Sequence, residues 1–430
     1  MALDPHAAIA TQAAGVPAEA AGLTTADGMP LAQALARASA RSRRRAFLLV
    51  APLLLFVVVT FVTPMFQMLF RSVYNDGFSA NMPQVSAWFA DNPGAAPDEA
   101  AYAALAADLV AAAQAKTIGV VGTRINYERP GSRSLFTSTG RKADELQAPY
   151  QAALIEADAK WGDPNLWQAM RGASTPYSSN FYLSAVDRTR DETGAVVRVE
   201  EQGAIYLKLF TRTFILSAAI TAITFVLGFP IAHLLATLPM RWSNVLMILV
   251  LLPFWTSLLV RTTAWIVLLQ QQGVVNNALV SLGIINDSQR LDMMYNQIGT
   301  VVAMTHILLP FMVLPLYSVM RTIKPSYVRA ARSLGATSWT AFRRIYFPQT
   351  LPGLGAGALL VFILALGYYI TPALVGGSTG QLISNLIAVH MNETLNWSLA
   401  AALAAILLGA VLVLYYVYDR LVGIDNMKLG

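Results

Sequence analysis

The sequence lacks several residue types on which whole classes of protein depend. Its 430 residues include no cysteine, which excludes disulfides, thiolate catalysis and cysteine-ligated zinc. The four histidines, His6, His233, His306 and His390, are too far apart in sequence to suggest a metal site. No phosphate-binding loop of the form GxxxxGK(S/T) occurs. We therefore expect that the chain has no catalytic residues, binds no metal or cofactor, and is not itself an enzyme.

Charged residues are also scarce, at 13% of the chain against roughly 25% in an average globular protein, whereas hydrophobic residues reach 56%. The apolar residues are gathered in blocks, several longer than about 18 residues and nearly free of charge, which is typical of helices that span a bilayer. These blocks predict six transmembrane helices, over residues 46–70, 206–238, 244–269, 297–320, 348–375 and 397–418. Pro253 interrupts the third block. The predicted fold class is an all-α polytopic membrane protein.

Two stretches outside these blocks are different in composition. Residues 1–45 are rich in Ala, Thr, Gly and Pro and end in a run of arginines, so we predict a disordered basic tail. Residues 71–204 hold 16 of the 24 acidic residues. We predict that they form a small α+β domain inserted between the first two transmembrane helices. Its expected elements are helices over 97–116 and 143–160 and strands over 181–186 and 195–200.

The distribution of basic residues predicts the orientation in the membrane. The connector 321–347 carries six cations and no acid, and with six spans it falls on the same side as the N-terminal arginines. Short cytoplasmic loops are enriched in Lys and Arg. We therefore predict that both termini are cytoplasmic, including a short tail over 424–430, and that the insertion 71–204 lies outside.

The basic connector carries the most informative pattern. Pro325 can open a helix, and Gly335 is placed to end it in a left-handed cap. Between them, Tyr327, Ala330, Ala331 and Leu334 recur at the spacing of one apolar helix face, and Trp339, Phe342 and Ile345 form a second stripe before Pro348. We predict two short amphipathic helices across the cytoplasmic ends of spans four and five. The alternative is a basic juxtamembrane segment that contacts anionic lipid.

This connector resembles the EAA loop of ABC-transporter permeases, which reads E-A-A, three residues, Gly, nine residues and I-x-L-P. The matching positions are Ala330, Ala331, Gly335, Ile345 and Pro348. Two positions differ, since Arg329 stands in place of the Glu and Phe347 in place of the Leu. The segments 228–232, 252–261, 309–317 and 374–377 are similar to the spermidine/putrescine-type permeases, specifically to their first membrane subunit. The resemblance covers about 206–423, within a permease core over 205–423, and leaves the insertion and the tail outside it.

The resemblance implies a type I ABC importer permease of the MetI-like fold in a bacterial inner membrane, with residues 71–204 in the periplasm. It implies four kinds of association: a second homologous permease, two cytoplasmic ATPase subunits that bind ATP and Mg, an extracytoplasmic solute-binding protein, and membrane lipid. The connector would then be the coupling helix seated on the ATPase. Its expected contact residues are Tyr327, Arg329, Ala330, Ala331, Arg332, Leu334, Gly335, Ala336, Phe342, Ile345 and Pro348. Because Arg329 replaces a Glu, we expect either a Glu on the second permease or an acidic ATPase surface opposite.

A polyamine solute is a cation, yet no Asp or Glu occurs in 206–286 or in 293–392. A cation would therefore cross on aromatic faces and carbonyl groups. The candidates for this path are Trp255, Thr256, Trp265, Tyr368 and Tyr369. Packing or interface-belt aromatics are the alternative, and the missing carboxylates equally suit an anionic or amino-acid-like solute. For His233 and His306, inside spans, we expect a neutral ring bonded to a neighbouring carbonyl.

Two other classes of protein are alternatives to an ABC-importer permease. A secondary transporter would need an ion-coupling site, yet the spans lack carboxylates and no inverted halves are evident. A membrane-anchored envelope enzyme would place its function in the insertion and leave the connector unexplained. As part of a permease, the insertion is either a docking surface for the binding protein, a lid over the outer gate, or a solvated decoration.

Overall fold

A computed structural model of the protein describes residues 31–191, 193–201 and 203–422. It divides into two compact units, Met1–Met68 and Leu69–Gly430. The first unit holds helix α1, Leu31–Val57, a π-helical turn, Val58–Val62, and the start of α2, Thr63–Arg71. Residues 1–30 of the predicted tail lie outside the described part, whereas 31–45 are helical, so the prediction of disorder is wrong for them. The first span therefore continues a helix that begins before its arginines.

The insertion is mostly helical, with one small sheet. Its helices are α3 Pro83–Asp91, α4 Glu99–Gln114, α5 Ile118–Asn126, α6 Ser132–Gly140, α7 Tyr150–Ala157, α8 Pro164–Ala173 and α9 Asn180–Ala185. Single 3-10 turns, Ala143–Glu145 and Ala159–Gly162, flank α7. Strands β1 Arg188–Arg190 and β2 Val196–Arg198 pair antiparallel. Fully buried side chains such as Phe136, Trp161 and Met170 form its core.

Two predicted elements of the insertion are wrong. The segment predicted as a strand over 181–186 is helix α9, because Phe181 and Ala185, four residues apart, bury one face against the last membrane helix. The helix predicted over 143–160 is divided into three pieces, and Pro149 stands immediately before α7. A proline lacks the N–H that a continuous helix would need at that position.

The second unit also contains the membrane core. Its helices are α10 Tyr206–Thr237, α11 Met240–Leu251, α12 Leu258–Leu269, α13 Val274–Ser281, α14 Gln297–Thr322, α15 Pro325–Ser333, α16 Ser338–Ala341, α17 Phe347–Gly367, α18 Ile370–Val375, α19 Gly377–Gly380, α20 Ile383–Asn392 and α21 Trp397–Val422. Helices α10, α14 and α17 pack side by side around the fully buried Ile220, Met312 and Val361. Among the described residues, five helices are long and apolar enough to cross a membrane, or six if one bent pair counts as a span.

Two of the predicted spans differ from the straight helices expected. The third is the bent pair, in which Met240–Trp255 and Leu258–Ser281 meet at 100°. The fifth was expected to begin at Pro348 and to reach residue 375, but a continuous helical stretch runs from Ser338 to Gly367. A proline in the first turn of a helix costs nothing, and within a helix it is tolerated next to a π-helical turn such as Phe342–Tyr346. Pro348 thus lies in the first turn of α17, as predicted, but the helical stretch continues before it to Ser338.

Candidate functional site

The basic connector forms one exposed helix and a tight turn. Helix α15 starts with Pro325 in its first turn, as the sequence predicts. At its end Gly335 has a φ of +90°, and the amide of Ala336 donates to the Ala331 carbonyl at 3.0 Å. This is the left-handed cap that glycine adopts without strain and that closes the last helical turn. The turn gives the connector a fixed shape at its tip.

The apolar face of the connector points away from the chain. Tyr327 is 49% exposed, Leu334 is 90% exposed and Trp339 is 68% exposed. Ala330 is exposed and Ala331 half-buried, so the predicted face is present on α15. A fully solvated leucine at a rigid turn is the kind of apolar contact point that a partner surface covers.

The cations of α15 are unpaired within the residues that the structure describes. Arg329 and Arg332 are both exposed, and no hydrogen bond or ion pair reaches either side chain in that part of the chain. The connector has no acid of its own. Its positive charge is therefore directed outward, toward whatever surface it meets.

The second apolar stripe belongs to a membrane helix, which corrects the prediction of a second short helix. Phe342 lies in the stretch that runs on to Gly367, and its ring centroid is 6.0 Å from that of Phe229 on α10. Ile345 is half-buried and Pro348 exposed on the same stretch, and Ala336 is half-buried in the turn before it. The connector is thus attached directly to two core helices, α10 and α17.

The third span is interrupted between α11 and α12. A 3-10 turn, Leu252–Trp255, is followed by extended backbone at Thr256 and Ser257, with ψ of 146° and 151°. Ser257 then caps α12 by accepting a bond from the Val260 amide at 3.2 Å. Arg261 extends back to the break and donates to the carbonyls of Pro253 and Thr256.

A second interruption separates α17 from α18 at Tyr368 and Tyr369. Helix α20 supplies the missing donors, since the Ser384 hydroxyl donates to the Tyr368 carbonyl at 2.6 Å and the Asn385 amide donates to the Tyr369 carbonyl at 2.7 Å. Irregular backbone at membrane depth is tolerated where it is buried in protein or lines a water-filled cavity. Both interruptions are therefore candidates for the solute path.

The predicted path residues lie at these two interruptions. Trp255 is 74% exposed and Thr256 is exposed at the first, and Tyr369 is 45% exposed and Tyr368 half-buried at the second. Trp265 lies inside α12, where its indole donates to His306 Nδ1 at 3.2 Å. The structure thus brings the candidates together in two pairs, with Trp265 in a packing contact.

Within the described part of the chain, the ring nitrogens of the two intramembrane histidines bond to side chains and not to carbonyls, contrary to expectation. His306 accepts from the Trp265 indole, and His233 Nδ1 is 3.0 Å from the Tyr346 hydroxyl. Each histidine also meets the ring of its aromatic partner edge to face, with ring centroids 5.1 Å apart for His233 and Tyr346 and 5.3 Å apart for His306 and Trp265. Both histidines therefore tie core helices together.

Arg261 is the residue that the sequence reasoning missed. The expectation of a cation path depends on the missing carboxylates alone and assigns no role to an arginine. Its signal was present in the sequence, as a cation in an apolar stretch eight residues after a proline. An ionisable residue at such a depth is a functional candidate by default.

The insertion is anchored on the outer ends of the core helices. The Asp187 carboxylate accepts bonds from the Tyr206 and Leu207 amides at the start of α10, at 3.0 and 2.8 Å. The Tyr127 hydroxyl donates to the Leu395 carbonyl at 2.9 Å. Burial lowers the pKa of His390, which lies between the hydroxyls of Tyr206 and Thr394. The insertion and the core are in this way joined by polar contacts, of which those of Asp187 are partly buried and that of Tyr127 is exposed.

A cavity of about 740 Å³ lies beside this anchor, between the hairpin and helix α9. Three of its carboxylates are engaged, since Glu128 pairs with Arg124 at 2.7 Å, Asp187 holds the start of α10, and Asp191 accepts from amides of its own turn. The fourth, Glu200, is exposed. Among the described residues, no group of three His, Asp or Glu side chains is placed to hold a metal ion. The cavity therefore offers a surface but no evident reactive group.

The chain is similar in sequence to known components of membrane transport systems. The family model described as binding-protein-dependent transport system inner membrane component matches residues 215–424. The spermidine/putrescine transport system permease protein PotB of Escherichia coli (strain K12) is 34% identical over 220 residues, which are 50% of this chain and 79% of that protein. The protein of the same name from Haemophilus influenzae is 32% identical over 225 residues, 52% of this chain and 78% of that one. A solved structure, a bacterial alginate ABC transporter in complex with an alginate pentasaccharide-bound periplasmic protein, is 19% identical with a TM-score of 0.41, and covers 52% of this chain and 80% of that one.

Proposed function

Because this chain belongs to the family of binding-protein-dependent transport system inner membrane components, we propose that it forms one half of the solute path of an ATP-driven polyamine importer. It is a multi-pass permease component of an ABC importer. In our proposal, its EAA-like connector transmits the movement of a cytoplasmic ATPase dimer to the membrane helices.

The observation that carries this proposal is the exposed turn around Leu334. The 90% exposed leucine stands on a rigid left-handed cap, and the same connector continues into α17 and contacts α10 through Phe342. A force applied at the turn is therefore delivered to two helices of the packed core. Tyr327, Ala330, Ala331 and Ala336 complete the apolar contact in this proposal.

The ATPase subunits of this importer would bind the ATP and Mg, and they would carry carboxylates opposite α15. Arg329 and Arg332 are exposed and unpaired within the described residues, and like charges across an interface oppose binding. An acidic rim around an apolar groove fits the connector. A purely electrostatic contact with lipid would not require Leu334 or the fixed turn.

Polyamine is the proposed solute because the relatives described above are named as spermidine/putrescine permeases. The spans offer aromatic faces and main-chain carbonyls at the two interruptions, which can attract ammonium groups without a carboxylate. Trp255 with Thr256 and Tyr368 with Tyr369 would form this path, next to a second, homologous permease. An amino-acid-like or anionic solute is the alternative that the same experiment tests.

For the insertion, we propose a periplasmic docking surface for the solute-binding protein, with both chain termini in the cytoplasm. Its anchors at Asp187 and Tyr127 support this placement, since a load applied to the insertion would reach α10 and the start of α21. The net acidic charge of residues 71–204 favours a basic partner surface.

The test is transport by the chain purified from its own membranes with its partners and reconstituted in vesicles. We expect a co-purified ATPase with a phosphate-binding loop, a second permease, and ATP-dependent uptake of spermidine and putrescine in preference to sulfate or an amino acid. Leu334→Asp should abolish uptake while Ile284→Asp, at an exposed apolar residue just after helix α13, should not. Uptake that continues without ATP, or recovery of the chain alone, would contradict the proposal.

A second pair of variants tests the acidic rim. Arg329→Glu is expected to reduce uptake and ATPase stimulation by about ten-fold, since it places a carboxylate opposite carboxylates. Arg329→Lys is the matched control and should retain most activity. If Arg329→Glu improves coupling instead, the ATPase surface opposite is basic and the charge part of the proposal fails, although the role of Leu334 stands.

A further inference from the structure

The ends of the first interruption are set by its own sequence. Pro253 has no N–H to donate, so the preceding helix loses one of its bonds there. Two extended residues follow, and Ser257 caps the new helix α12. The interruption is therefore flanked by a helix stop and a helix start, and it leaves several carbonyls of residues 252–256 without the partners that a continuous helix supplies.

Arg261 supplies donors to this gap. Its Nη2 donates to the Pro253 carbonyl and, at 3.0 Å, to the Thr256 carbonyl, while its Nε is 3.4 Å from the Thr256 hydroxyl. One side chain thus spans the whole break. A planar guanidinium can serve several acceptors at fixed angles, which an ammonium group cannot do in the same geometry.

The charge of Arg261 has no acidic side chain nearby in the sequence to balance it. No Asp or Glu occurs between residues 206 and 286 to balance the charge of Arg261. An arginine remains charged in a protein, and an unbalanced charge at membrane depth is expensive. The carbonyl dipoles at the break therefore stabilise the guanidinium. The guanidinium in turn gives the Thr256 carbonyl its donor, and it gives the Pro253 carbonyl a donor in addition to the Thr256 hydroxyl, which lies at 2.9 Å.

The helix that carries Arg261 is itself fixed on two sides. Thr262, the next residue, meets Thr371 on α18, and Trp265, one turn later, donates to His306 on α14. The guanidinium is consequently a link between a fixed helix and an irregular segment. The exposed Trp255 indole is carried by that segment.

We propose that Arg261 is a positioning residue, which holds the segment 252–257 in its open conformation and so presents Trp255 and Thr256 to the passing solute. This inference rests on the proposed function, since it assumes that the interruption faces the solute path. Without the guanidinium, the Thr256 carbonyl would lose its donor. The segment would then close to give that carbonyl a main-chain donor, and the Trp255 ring would turn away.

The first experiment compares Arg261→Gln and Arg261→Lys with the control Arg241→Gln, at an exposed arginine at the start of α11. We expect Arg261→Gln to lower the maximal uptake rate by about ten-fold with less than about a two-fold change in the half-saturating concentration, because binding is selected elsewhere in the importer. Arg261→Lys should recover part of the rate, and Arg241→Gln should match the parent chain.

The second experiment measures how accessible position 255 is to a thiol reagent. The chain has no cysteine of its own, so an introduced cysteine is its single reactive thiol. Trp255→Cys introduces one thiol, whose modification by a charged methanethiosulfonate reagent is timed with and without Arg261→Gln. We expect rapid modification when Arg261 is present, and a rate lower by about five-fold or more in the double variant as the segment closes. An equal or faster rate in the double variant would overturn the positioning role.

The two experiments separate this inference from the proposed function. If Arg261→Gln transports normally with an unchanged thiol rate, Arg261 has no positioning role while ATP-driven uptake still stands. If the parent chain shows no ATP-driven uptake, the proposed function fails, and the thiol rates still report whether Arg261 holds the segment. A thiol at position 255 that reacts only with lipid-soluble reagents would show that the interruption faces lipid, which also overturns the inference.

Discussion

The hydroxyl oxygens of Thr262 and Thr371 lie 3.4 Å apart, and both side chains are fully buried. This contact joins the two interrupted membrane segments, because Thr262 follows Arg261 on α12 and Thr371 follows the break at Tyr368 on α18. A displacement of one interruption is therefore felt at the other. Buried hydroxyl pairs of this kind fix the relative position of two helices more strictly than apolar contacts do.

Thr262→Val removes this contact while keeping the shape of the side chain, and Thr263→Val is its matched control. The Thr262 hydroxyl donates to the Leu258 carbonyl of its own helix, and the Thr263 hydroxyl donates to the Leu259 carbonyl in the same way. Thr263, however, is exposed. We expect Thr262→Val to cost about 1 kcal/mol of stability, because the Thr371 hydroxyl loses a partner. Uptake should fall several-fold in that variant alone. Equal thermal midpoints and uptake rates for the two variants would contradict the link.

Asp187 is expected to be the most sensitive anchor of the insertion. It accepts from two amides at the start of α10 and adopts a φ of +54°, a backbone conformation in which Asp and Asn are favoured over other residues with a side chain. Asp187→Ala should cost about 1–2 kcal/mol, through the lost helix cap, whereas Asp187→Asn should cost less. Thermal unfolding of the purified chain measures both. A destabilisation equal in the two variants would show that the cap is unimportant.

The membrane fold was largely predictable because hydropathy and charge act over long stretches. Six apolar blocks and the basic connector are properties of 20 or more residues at once, and local exceptions do not hide them. The insertion was less predictable because short elements depend on distant partners. Phe181 and Ala185 alternate with polar residues as a strand would, yet they pack as a helix face against Leu399 and Leu403, which lie more than 200 residues away in the sequence.

The candidate site likewise has a part that could be predicted from the sequence and a part that could not. The left-handed Gly335 and the exposed Leu334 follow from a local pattern, and the structure has them where the pattern places them. The role of Arg261 was hidden, because the carbonyls that it reaches become available only when Thr256 and Ser257 adopt extended backbone. A proline shows that a helix is disturbed, but it does not show which side chain occupies the gap.

The buried carboxylate of Asp108 predicts how the insertion responds to pH. Burial raises its pKa, against the opposing effect of the Val85 and Gln84 amides at the start of α3. A carboxyl whose pKa is raised by folding disfavours the folded state as the pH rises from its ordinary value, near 3.9, through the raised value. Above both pKa values the folded state carries the full cost of the buried, ionised Asp108 carboxylate. Asp108→Asn removes this penalty and keeps one acceptor oxygen for the Val85 amide.

We therefore expect Asp108→Asn to raise the unfolding temperature at pH 7.5 by about 2 °C, and the difference should narrow as the pH approaches 4. Tryptophan fluorescence reports on this region, since Trp161 and Trp167 are buried in the same core. A difference that grows on acidification would show that the ionised carboxylate stabilises the insertion instead.

Gly353 is a position at which the packing of α17 on α14 leaves no room for a side chain. A Cβ atom there would lie 2.9 Å from the Pro315 carbonyl oxygen and 2.9 Å from the Val319 side chain on α14. Backbone cannot give way as a flexible side chain does, so Gly353→Ala must push α17 away from α14, at a cost of about 1–3 kcal/mol. Gly409→Ala is the matched control, since nothing lies within 4 Å of a Cβ at that helical glycine. There the alanine should be neutral or stabilising, by up to about 1 kcal/mol.

The effect of Gly353→Ala on transport should exceed its effect on folding. Helix α17 is continuous with the stretch that begins at Ser338, beside the connector, so a shift of α17 also displaces Phe342 from its contact with Phe229. We expect protein of nearly normal yield whose ATP hydrolysis is no longer stimulated by solute-loaded binding protein. The control makes the same substitution at an exposed helical glycine, where no helix has to move. Normal coupling in Gly353→Ala would mean that the connector and the packing of α14 on α17 act independently.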